Sequence, residues 1–230
     1  MSTQRTVLRS REQVAEDTMA FGFEKPAGFG FKPGQAIDLI LASAPAAEPA
    51  SARHTFSMVS APFEDRIVIA TRMRGSKFKN ALAALPVGSA AELEGPFGSL
   101  ALHSNRARPA VFIAGGIGIT PFMSILRQAE HDQLPQRFVL VYSNHRRETA
   151  AFLDELRQLE LTRRNFRLLP VMTQQNEHID RELIKRVKND ASTAMYYVTG
   201  TPAMVVAMRQ LLANAAIDDD DVRSEEFYGY

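Results

Sequence analysis

The sequence contains no cysteine and no tryptophan. The absence of cysteine excludes disulfides, a thiol nucleophile and a thiolate-ligated iron–sulfur cluster on this chain. Any redox chemistry must therefore use an organic cofactor or a metal held without thiolates. The histidines, at positions 54, 103, 131, 145 and 178, show no H-E-x-x-H or other short metal-ligand spacing. We therefore predict no metal site.

The chain also has no excess of positive or negative charge and no long apolar run. With 27 Lys+Arg against 26 Asp+Glu the net charge is +1, which gives no support to nucleic-acid binding driven by bulk charge. No stretch approaches the roughly 18 apolar residues of a membrane-spanning helix, and the polar start of the chain is unlike a secretory signal. We expect a cytoplasmic monomer with no membrane insertion.

The pattern of the chain changes near residues 100–109. Before this point, short β-rich runs are punctuated by Gly and Pro and interrupted by one helix, Lys77–Ala84, which is typical of an antiparallel Greek-key β-barrel. From about Arg106, strands alternate with helices, which indicates a doubly wound parallel sheet. We predict two domains, residues 1–104 and 105–230. The predicted helices of the second are Pro121–Ala129, Thr149–Leu159, Asp180–Lys188 and Pro202–Ala213, and Ala42–Ala52 in the first is a predicted loop.

A glycine-rich segment follows the first predicted strand of the second domain and opens a helix. Glycines let the backbone approach a ligand closely, and a helix N-terminus offers free N–H groups and partial positive charge. Thr120 suits the N-cap and Pro121 the first helical position. The pattern predicts a pyrophosphate site, with a turn that binds nothing as the alternative. The candidate residues are Gly115, Gly116, Ile117, Gly118, Thr120 and Pro121.

This segment, GGIGITP, resembles the nicotinamide domain of the ferredoxin–NADP reductase family. Further segments match that family in the same order along the chain: FKPGQ at 31–35, FS at 56–57, the GPFG turn at 95–98, TGTPAM at 199–204 and the tail EEFYGY at 225–230. The likeness is to short bacterial members that use FAD and NAD(P)H and have no iron–sulfur domain.

The resemblance implies FAD as cofactor and NADP or NAD as co-substrate. Phe56 would lie against the flavin ring, with an ordinary core aromatic as the alternative. Ser57 would offer its hydroxyl to flavin N5. The flavin phosphates would be held by a strand and by the start of the short helix, for which a solvated basic turn is the alternative. The candidates are Arg53, His54, Thr55, Arg72, Arg74, Gly75, Ser76 and Lys77.

Two positions depart from the family pattern. The family usually places Arg two residues before the aromatic, where this chain has His54, and Arg53 stands one position earlier on the opposite face of a strand. Either Arg53 reaches around, or His54 makes a weaker, pH-dependent contact, or Arg72 or Arg74 substitutes. Thr201 replaces a common Pro and should perturb the turn little.

The remaining candidates concern the dinucleotide. The resemblance assigns the nicotinamide pocket to Gly200, Thr201, Pro202 and Met204. In the tail, Phe227 and Tyr230 would cover the nicotinamide side of the flavin and Glu226 would position the nicotinamide or relay a proton, unless the tail merely ends the sheet. These three and Ser57 are the candidate catalytic residues. Ser143, Asn144, Arg146 and Arg147 suit a 2′-phosphate and favour NADPH, although solvated arginines would leave NADH open.

The function that follows is hydride transfer between NAD(P)H and FAD, then single-electron transfer to or from a separate protein. Because the chain has no cysteine, that partner, such as a ferredoxin or flavodoxin, brings its own iron–sulfur centre, haem or flavin. Two alternatives remain at this point: a reductase of free flavin, and a non-catalytic nucleotide-binding regulatory module.

Overall fold

The computed structural model describes residues 3–41 and 52–228, which form two compact units. One unit comprises Met1–Ala101 and Thr120–Glu130, and the other comprises Leu102–Ile119 and His131–Tyr230. These units differ from the predicted residue split at 102–104 and at 120–130, and the cofactor assigned to each stays a prediction. The predicted loop Ala42–Ala52, apart from Ala52, lies outside the described residues.

The first unit is built on an antiparallel sheet, as predicted. Its strands are β1 (Gln4–Ala15), β2 (Thr18–Glu24), β3 (Ala36–Ile40), β4 (Arg53–Ser57), β5 (Arg66–Arg72) and β6 (Ala90–Phe97), in the order β4-β3-β6-β1-β2-β5. After β4, a single bridge joins Met58 to Ile69, and Val59 N donates to Val68 O at 2.7 Å. The six strands are therefore barrel-like without complete closure.

Alternating apolar residues of these strands fill one core, and helix α1 (Lys77–Ala84) packs onto it at the predicted position. Phe21 and Phe23 on β2 are fully buried, and Phe78 and Leu82 bring the apolar side of α1 against them. The helix begins where it does because Ser76 Oγ accepts a hydrogen bond from Lys79 N at 3.1 Å.

The GPFG segment is not simply the predicted turn. Gly95, Pro96 and Phe97 lie in β6, and only Gly98, with φ of +87°, follows the strand. The strand was missed because its sequence, AAELEGPF, has few β-branched residues and a Gly-Pro pair typical of turns. It forms because β6 is hydrogen-bonded to β1 on one side and β3 on the other.

The second unit contains the predicted doubly wound parallel sheet. Its strands are β7 (Ala110–Gly115), β8 (Phe138–Asn144), β9 (Phe166–Met172), β10 (Met195–Gly200) and β11 (Val222–Glu226), in the order β11-β10-β7-β8-β9. The chain steps from β7 to β8 and β9, then returns to the other side of β7 as β10. The strand order therefore reverses between β7 and β10, which is the topological switch point of this sheet.

Helices follow most of these strands. They are α2 (Thr120–His131), α3 (Leu153–Thr162), α4 (Arg181–Asp190) and α5 (Pro202–Asn214). Helix α3 begins four residues later than the predicted Thr149, because Arg147–Thr149 forms a separate 3₁₀ turn and Phe152 has a left-handed φ of 60°. Over residues 3–41 and 52–228, every helix is too short or too polar to cross a membrane.

The segment before β7 is fixed to the second sheet by a buried histidine. His103 Nδ1 lies 2.8 Å from the Tyr197 hydroxyl, which also accepts from His103 N at 2.9 Å. His103 Nε2 lies 3.0 Å from Arg108 O and 2.8 Å from the Gln136 amide nitrogen. Burial lowers the pKa of His103 below its ordinary value of 6.5, and the nearby cations of Arg108 and Arg223 lower it further.

Candidate functional site

Glycines bring the ends of β7 and β10 close together at the switch point. A methyl group on Gly115 would lie 2.1 Å from Met204 Sδ, and one on Gly118 would lie 2.8 Å from the carbonyl oxygen of Thr199. Thr199 Oγ1 also donates a buried hydrogen bond of 2.6 Å to Gly118 O. Gly116 has a φ of +54°, which favours glycine. The predicted glycine segment thus forms a close-packed turn beside β10.

The start of α2 differs from the prediction. The threonine N-cap and first-position proline that were expected at α2 are found instead at the start of α5. Residues 116–119 form a 3₁₀ turn that continues directly into α2, so Thr120 is its first residue and not an N-cap. At the end of β10, Thr201 is the N-cap of α5: its hydroxyl accepts from Met204 N at 3.3 Å, and Pro202 is the first helical residue. Thr201 is therefore well suited to this loop despite its departure from the family pattern.

The end of β8 carries the residues predicted to contact the adenosine part of the dinucleotide. Ser143 pairs in register with Gly115. Asn144 is buried, and neither its amide oxygen nor its amide nitrogen has a hydrogen-bond partner in the part of the chain that the structure describes. Arg146 is half-buried, and Arg147 is exposed with Nη2 3.4 Å from Asp154 Oδ1. Ser143 and Asn144 thus end this strand, and Arg146 and Arg147 lie in the segment that follows it.

The tail lies along β10, beside the switch point. Glu226 pairs with Gly200, and Phe227 N donates to Gly200 O at 2.9 Å. The exposed Tyr228 hydroxyl donates to the Glu226 carboxylate, and this bond raises the pKa of Tyr228. Tyr230 lies outside the described residues. The structure therefore brings Glu226 and Phe227 to the nicotinamide loop predicted at Gly200.

Glu225 is a titratable group that the sequence reasoning missed. Its Oε2 atom is buried without a partner among residues 3–41 and 52–228, and burial raises its pKa from 4.5 to about 7. It pairs in register with Thr199. A carboxyl that titrates near neutral pH can hold or release a proton under ordinary conditions. The available signal was the E-x-F spacing of the tail, which aligns Glu225 rather than Glu226 with the family's acid.

In the first unit, β4 places the flavin candidates on alternate faces. His54 stacks on Phe56 with ring centroids 4.6 Å apart, and Phe78 packs 5.8 Å from Phe56. Phe56 is only 6% exposed and belongs to the hydrophobic core. The structure therefore makes Phe56 a core aromatic covered by His54, and its contact with a flavin stays a prediction.

Ser57 presents an unsatisfied polar atom. Its side chain is buried, and Oγ has no hydrogen-bond partner within the described ranges. A buried hydroxyl without a partner costs about 1–3 kcal/mol, so a bound group that hydrogen-bonds to it would recover this cost. The nitrogen-rich edge of a flavin has the required chemistry, and Ser57 therefore fits the group that the resemblance implies.

Arg53 does not reach the His54 face of the strand. Its guanidinium is held by Asp38 and by Glu94, each with an N–O distance of 2.6 Å, and Thr55 Oγ1 also donates to Asp38. The hydrogen bond to Asp38 raises the pKa of Arg53 most, and the hydrogen bond to Glu94 is the next largest cause. Two carboxylates thus hold the Arg53 side chain on the face opposite His54, and which of the candidate cations would meet a flavin phosphate stays a prediction.

The basic turn before α1 contains the other phosphate candidates. Gly75 has a φ of +32°, and the Ser76 hydroxyl is used as the helix cap. Arg74 and Lys77 are exposed and Arg72 is half-buried. Lys79, which the sequence reasoning did not select, is buried, and burial lowers its pKa. The turn thus presents the cations of Arg74 and Lys77 beside a capped helix start.

The sequence matches a known domain family and is similar to several known proteins. Residues 112–210 match the oxidoreductase NAD-binding domain family. The chain is 26% identical to the reductase component of propane 2-monooxygenase from Rhodococcus jostii over 97% of its own length. It is 37% identical over 151 residues to the β subunit of phenoxybenzoate dioxygenase from Ectopseudomonas oleovorans, covering 62% of this chain and 44% of that protein.

The fold is also shared with solved structures. A ferredoxin NADP⁺ reductase from Neisseria gonorrhoeae, solved with FAD and NADP, superposes with a TM-score of 0.80 at 21% identity, over 98% of this chain and 99% of that one. The Rhodococcus relative is longer, and the chain spans 63% of its length.

Proposed function

We propose that this chain, which resembles the ferredoxin–NADP reductase family and contains an oxidoreductase NAD-binding domain, is a flavoenzyme that takes hydride from NAD(P)H and passes single electrons to a separate redox protein. When bound, FAD supplies the conversion between two-electron and one-electron chemistry. The observation that carries the proposal is the topological switch point between β7 and β10, where glycines pack closely; open α/β sheets bind their ligands at such points.

We assign the dinucleotide to residues 105–230. The Gly116–Ile119 turn and the Thr201-capped start of α5 offer backbone N–H groups to a pyrophosphate. The buried, unpartnered amide of Asn144 would be satisfied by a polar group of the same ligand. Glu225 would hold a proton near the nicotinamide end, because it pairs with Thr199 at the end of β10.

We assign the flavin to residues 1–104, with Ser57 as the group that touches its reacting edge. The buried Oγ supports this assignment, because it has no other partner in residues 3–41 and 52–228. Arg74 and Lys77 would provide positive charge for the phosphates, beside the capped start of α1. His54, not Arg53, lies on the Phe56 side of the strand.

The first test is the visible spectrum of the purified protein before and after anaerobic addition of NADPH and, separately, NADH. Flavin absorbance that bleaches on addition of nucleotide is the expected result. A colourless protein that remains inert after FAD is added would refute the proposal and leave the nucleotide-binding regulatory module.

NADPH is the proposed co-substrate, because Arg146 and Arg147 follow β8. Replacing either with Ala should lower kcat/KM for NADPH by about tenfold or more, the scale of a lost charge-assisted hydrogen bond, and leave NADH use unchanged. Arg157→Ala is the matched control, because Arg157 lies 3.9 Å from the same Asp154 oxygen that faces Arg147. Equal losses with both nucleotides would contradict the NADPH assignment.

A reductase of free flavin is the second candidate. The observation that favours it is the capture of Arg53 by Asp38 and Glu94, which removes the arginine nearest the motif from phosphate binding. Copurification of FAD, and tighter binding of FAD than of riboflavin, would support the resident-cofactor proposal. A protein that purifies without flavin and binds riboflavin as well as FAD would support the alternative.

The proposed acceptor is a protein with its own iron–sulfur centre, haem or flavin. The names of the relatives, which are components of a monooxygenase and a dioxygenase, make an oxygenase component or a small ferredoxin the first acceptors to test. Anaerobic stopped-flow mixing of the reduced protein with each candidate would measure the transfer. A monomeric state and a cytoplasmic location remain predictions.

A further inference from the structure

Met204 packs against the glycines at the ends of the neighbouring strands β7 and β10. Its sulfur occupies a position that two glycines leave open: a methyl group on Gly115 would lie 2.1 Å from Sδ, and one on Gly200 would lie 2.8 Å from it. The backbone of Met204 is held by the Thr201 hydroxyl at 3.3 Å. The thioether is therefore closely packed against the backbone at the switch point.

Few methionines of the chain are accessible to a reagent in solution. Of those described, five are buried, Met58, Met123, Met172, Met195 and Met208. Three are half-buried, Met19, Met73 and Met204. Met19 and Met73 pack against the core of the first unit, and Met204 packs against the core of the second. Met204 alone among these three lies in the second unit, where it lines the proposed dinucleotide site.

We propose that Met204 is a site of reversible oxidation that controls binding of the dinucleotide. This inference rests on the proposed function and adds a regulatory modification to it. The oxidant is hydrogen peroxide. The sulfur attacks one peroxide oxygen, so that an S–O bond forms and the O–O bond breaks. The sulfur loses two electrons. The departing hydroxide takes the proton of the transferred oxygen and leaves as water. The product is methionine sulfoxide, which sulfoxide reductases convert back with two electrons from a thiol reductant, so that the oxygen leaves as water.

The geometry explains why this change would matter. The sulfoxide adds an oxygen and a strong dipole to a side chain that already excludes a methyl group from Gly115. The oxidised side chain must leave its position or displace the backbone of Gly115 and Gly200, against which it packs. Either movement changes the crevice into which the pyrophosphate and nicotinamide would fit, and tight packing transmits such a displacement.

The test treats the purified, flavin-loaded protein with graded hydrogen peroxide. Mass spectrometry measures the oxidation of each methionine, and calorimetry measures the affinity for NADP⁺. We expect oxidation of Met204 to track a loss of affinity of about tenfold or more, the equivalent of one lost packing contact. Methionine sulfoxide reductase should restore the affinity. Met204→Leu, compared with its own untreated sample, should resist peroxide, whereas the control variant Met73→Leu should remain as sensitive as the unaltered protein.

Three results would overturn the inference alone: Met204 stays reduced while Met19 and Met73 are oxidised, oxidised Met204 leaves the affinity unchanged, or Met204→Leu loses as much affinity as the unaltered protein. The repair experiment uses the natural sequence, so it stands even where the Leu variant folds poorly. Failure of untreated protein to bind either dinucleotide would instead overturn the proposed function and this inference together.

Discussion

Substitution of Gly118 by Ala tests whether close approach of two backbones defines the switch point. The added methyl group would lie 2.8 Å from Thr199 O, 2.9 Å from Thr199 C and 3.0 Å from Gly200 N. All three are backbone atoms, so no rotation of a side chain relieves the contact. The turn at residues 116–119 must therefore move away from the end of β10.

The expected loss of stability combines two effects. Overpacking of a rigid site costs about 1–3 kcal/mol. The movement also breaks the buried 2.6 Å hydrogen bond from Thr199 Oγ1 to Gly118 O, which contributes about 1 kcal/mol. The sum is about 2–4 kcal/mol, which corresponds to a fall in Tm of roughly 5–15 °C for a chain of this size.

The assay is thermal unfolding followed by circular dichroism, together with titration of NADP⁺. Gly30→Ala is the matched control, because a methyl group on Gly30 meets nothing within 4 Å. Gly118→Ala should lower Tm and weaken NADP⁺ binding by at least about tenfold, the effect of roughly 1.4 kcal/mol, whereas Gly30→Ala should change neither. Thr199→Val isolates the hydrogen bond and should lose only its share of the stability.

The reasoning would be refuted by a Gly118→Ala protein with the Tm and NADP⁺ affinity of the Gly30→Ala control. Such a result would mean that the turn moves freely at no cost. A lower Tm with unchanged affinity would keep the packing argument and reject the turn as part of the nucleotide site.

Three further substitutions test buried polar groups. Ser57→Ala should stabilise the flavin-free protein by about 1 kcal/mol, because it removes an unpartnered hydroxyl, and should slow flavin reduction in stopped-flow; a less stable flavin-free variant would refute this. The raised pKa of Glu225 means that the folded state holds a proton that the unfolded state releases, so stability is lost as pH rises from 4.5 to about 7. Glu225→Gln should remove that loss, about 3 kcal/mol, in a Tm–pH profile, and an unchanged slope would count against it. The lowered pKa of His103 gives the opposite sign: stability is lost as pH falls below 6.5, and His103→Gln should flatten the acid side of the profile. An equally steep acid limb in that variant would show that His103 is not the titrating group.

Local pattern was sufficient for most of the fold. The helix at Lys77–Ala84 was predicted at its observed position, because Phe78, Leu82 and Leu85 form an apolar stripe. The doubly wound order followed from the alternation of strands and helices, which leaves few topologies open.

The errors arose where pairing or a local backbone break decides the structure. Strand β6 exists through two neighbours that its own sequence does not specify. The late start of α3 depends on a left-handed Phe152, a conformation that few non-glycine residues adopt and that no sequence rule anticipates.

The candidate site shows the same division. The residues that meet at the ends of β7, β10 and β11 were candidates because the glycine-rich segment follows a strand and because the other two segments resemble motifs of the same family. What the sequence could not give was the state of individual side chains. Arg53 pairs with Asp38, which is 15 positions away, and with Glu94, which is 41 positions away. The raised pKa of Glu225 depends on burial rather than on its neighbours in the sequence.

The assignment of Thr120–Glu130 to the first unit has a consequence for how this protein can be taken apart. The chain passes between its two compact units at three places, after residues 101, 119 and 130, so neither unit is one uninterrupted stretch. Within the first unit, Ser124 Oγ donates a buried hydrogen bond of 2.7 Å to Ser60 O. A gene fragment that stops near residue 104 would therefore encode a first unit that keeps α1 but lacks the helix at residues 120–130. Chimeras that exchange the two halves at one splice point would inherit the same defect, and a working exchange has to carry residues 120–130 with the amino-terminal half.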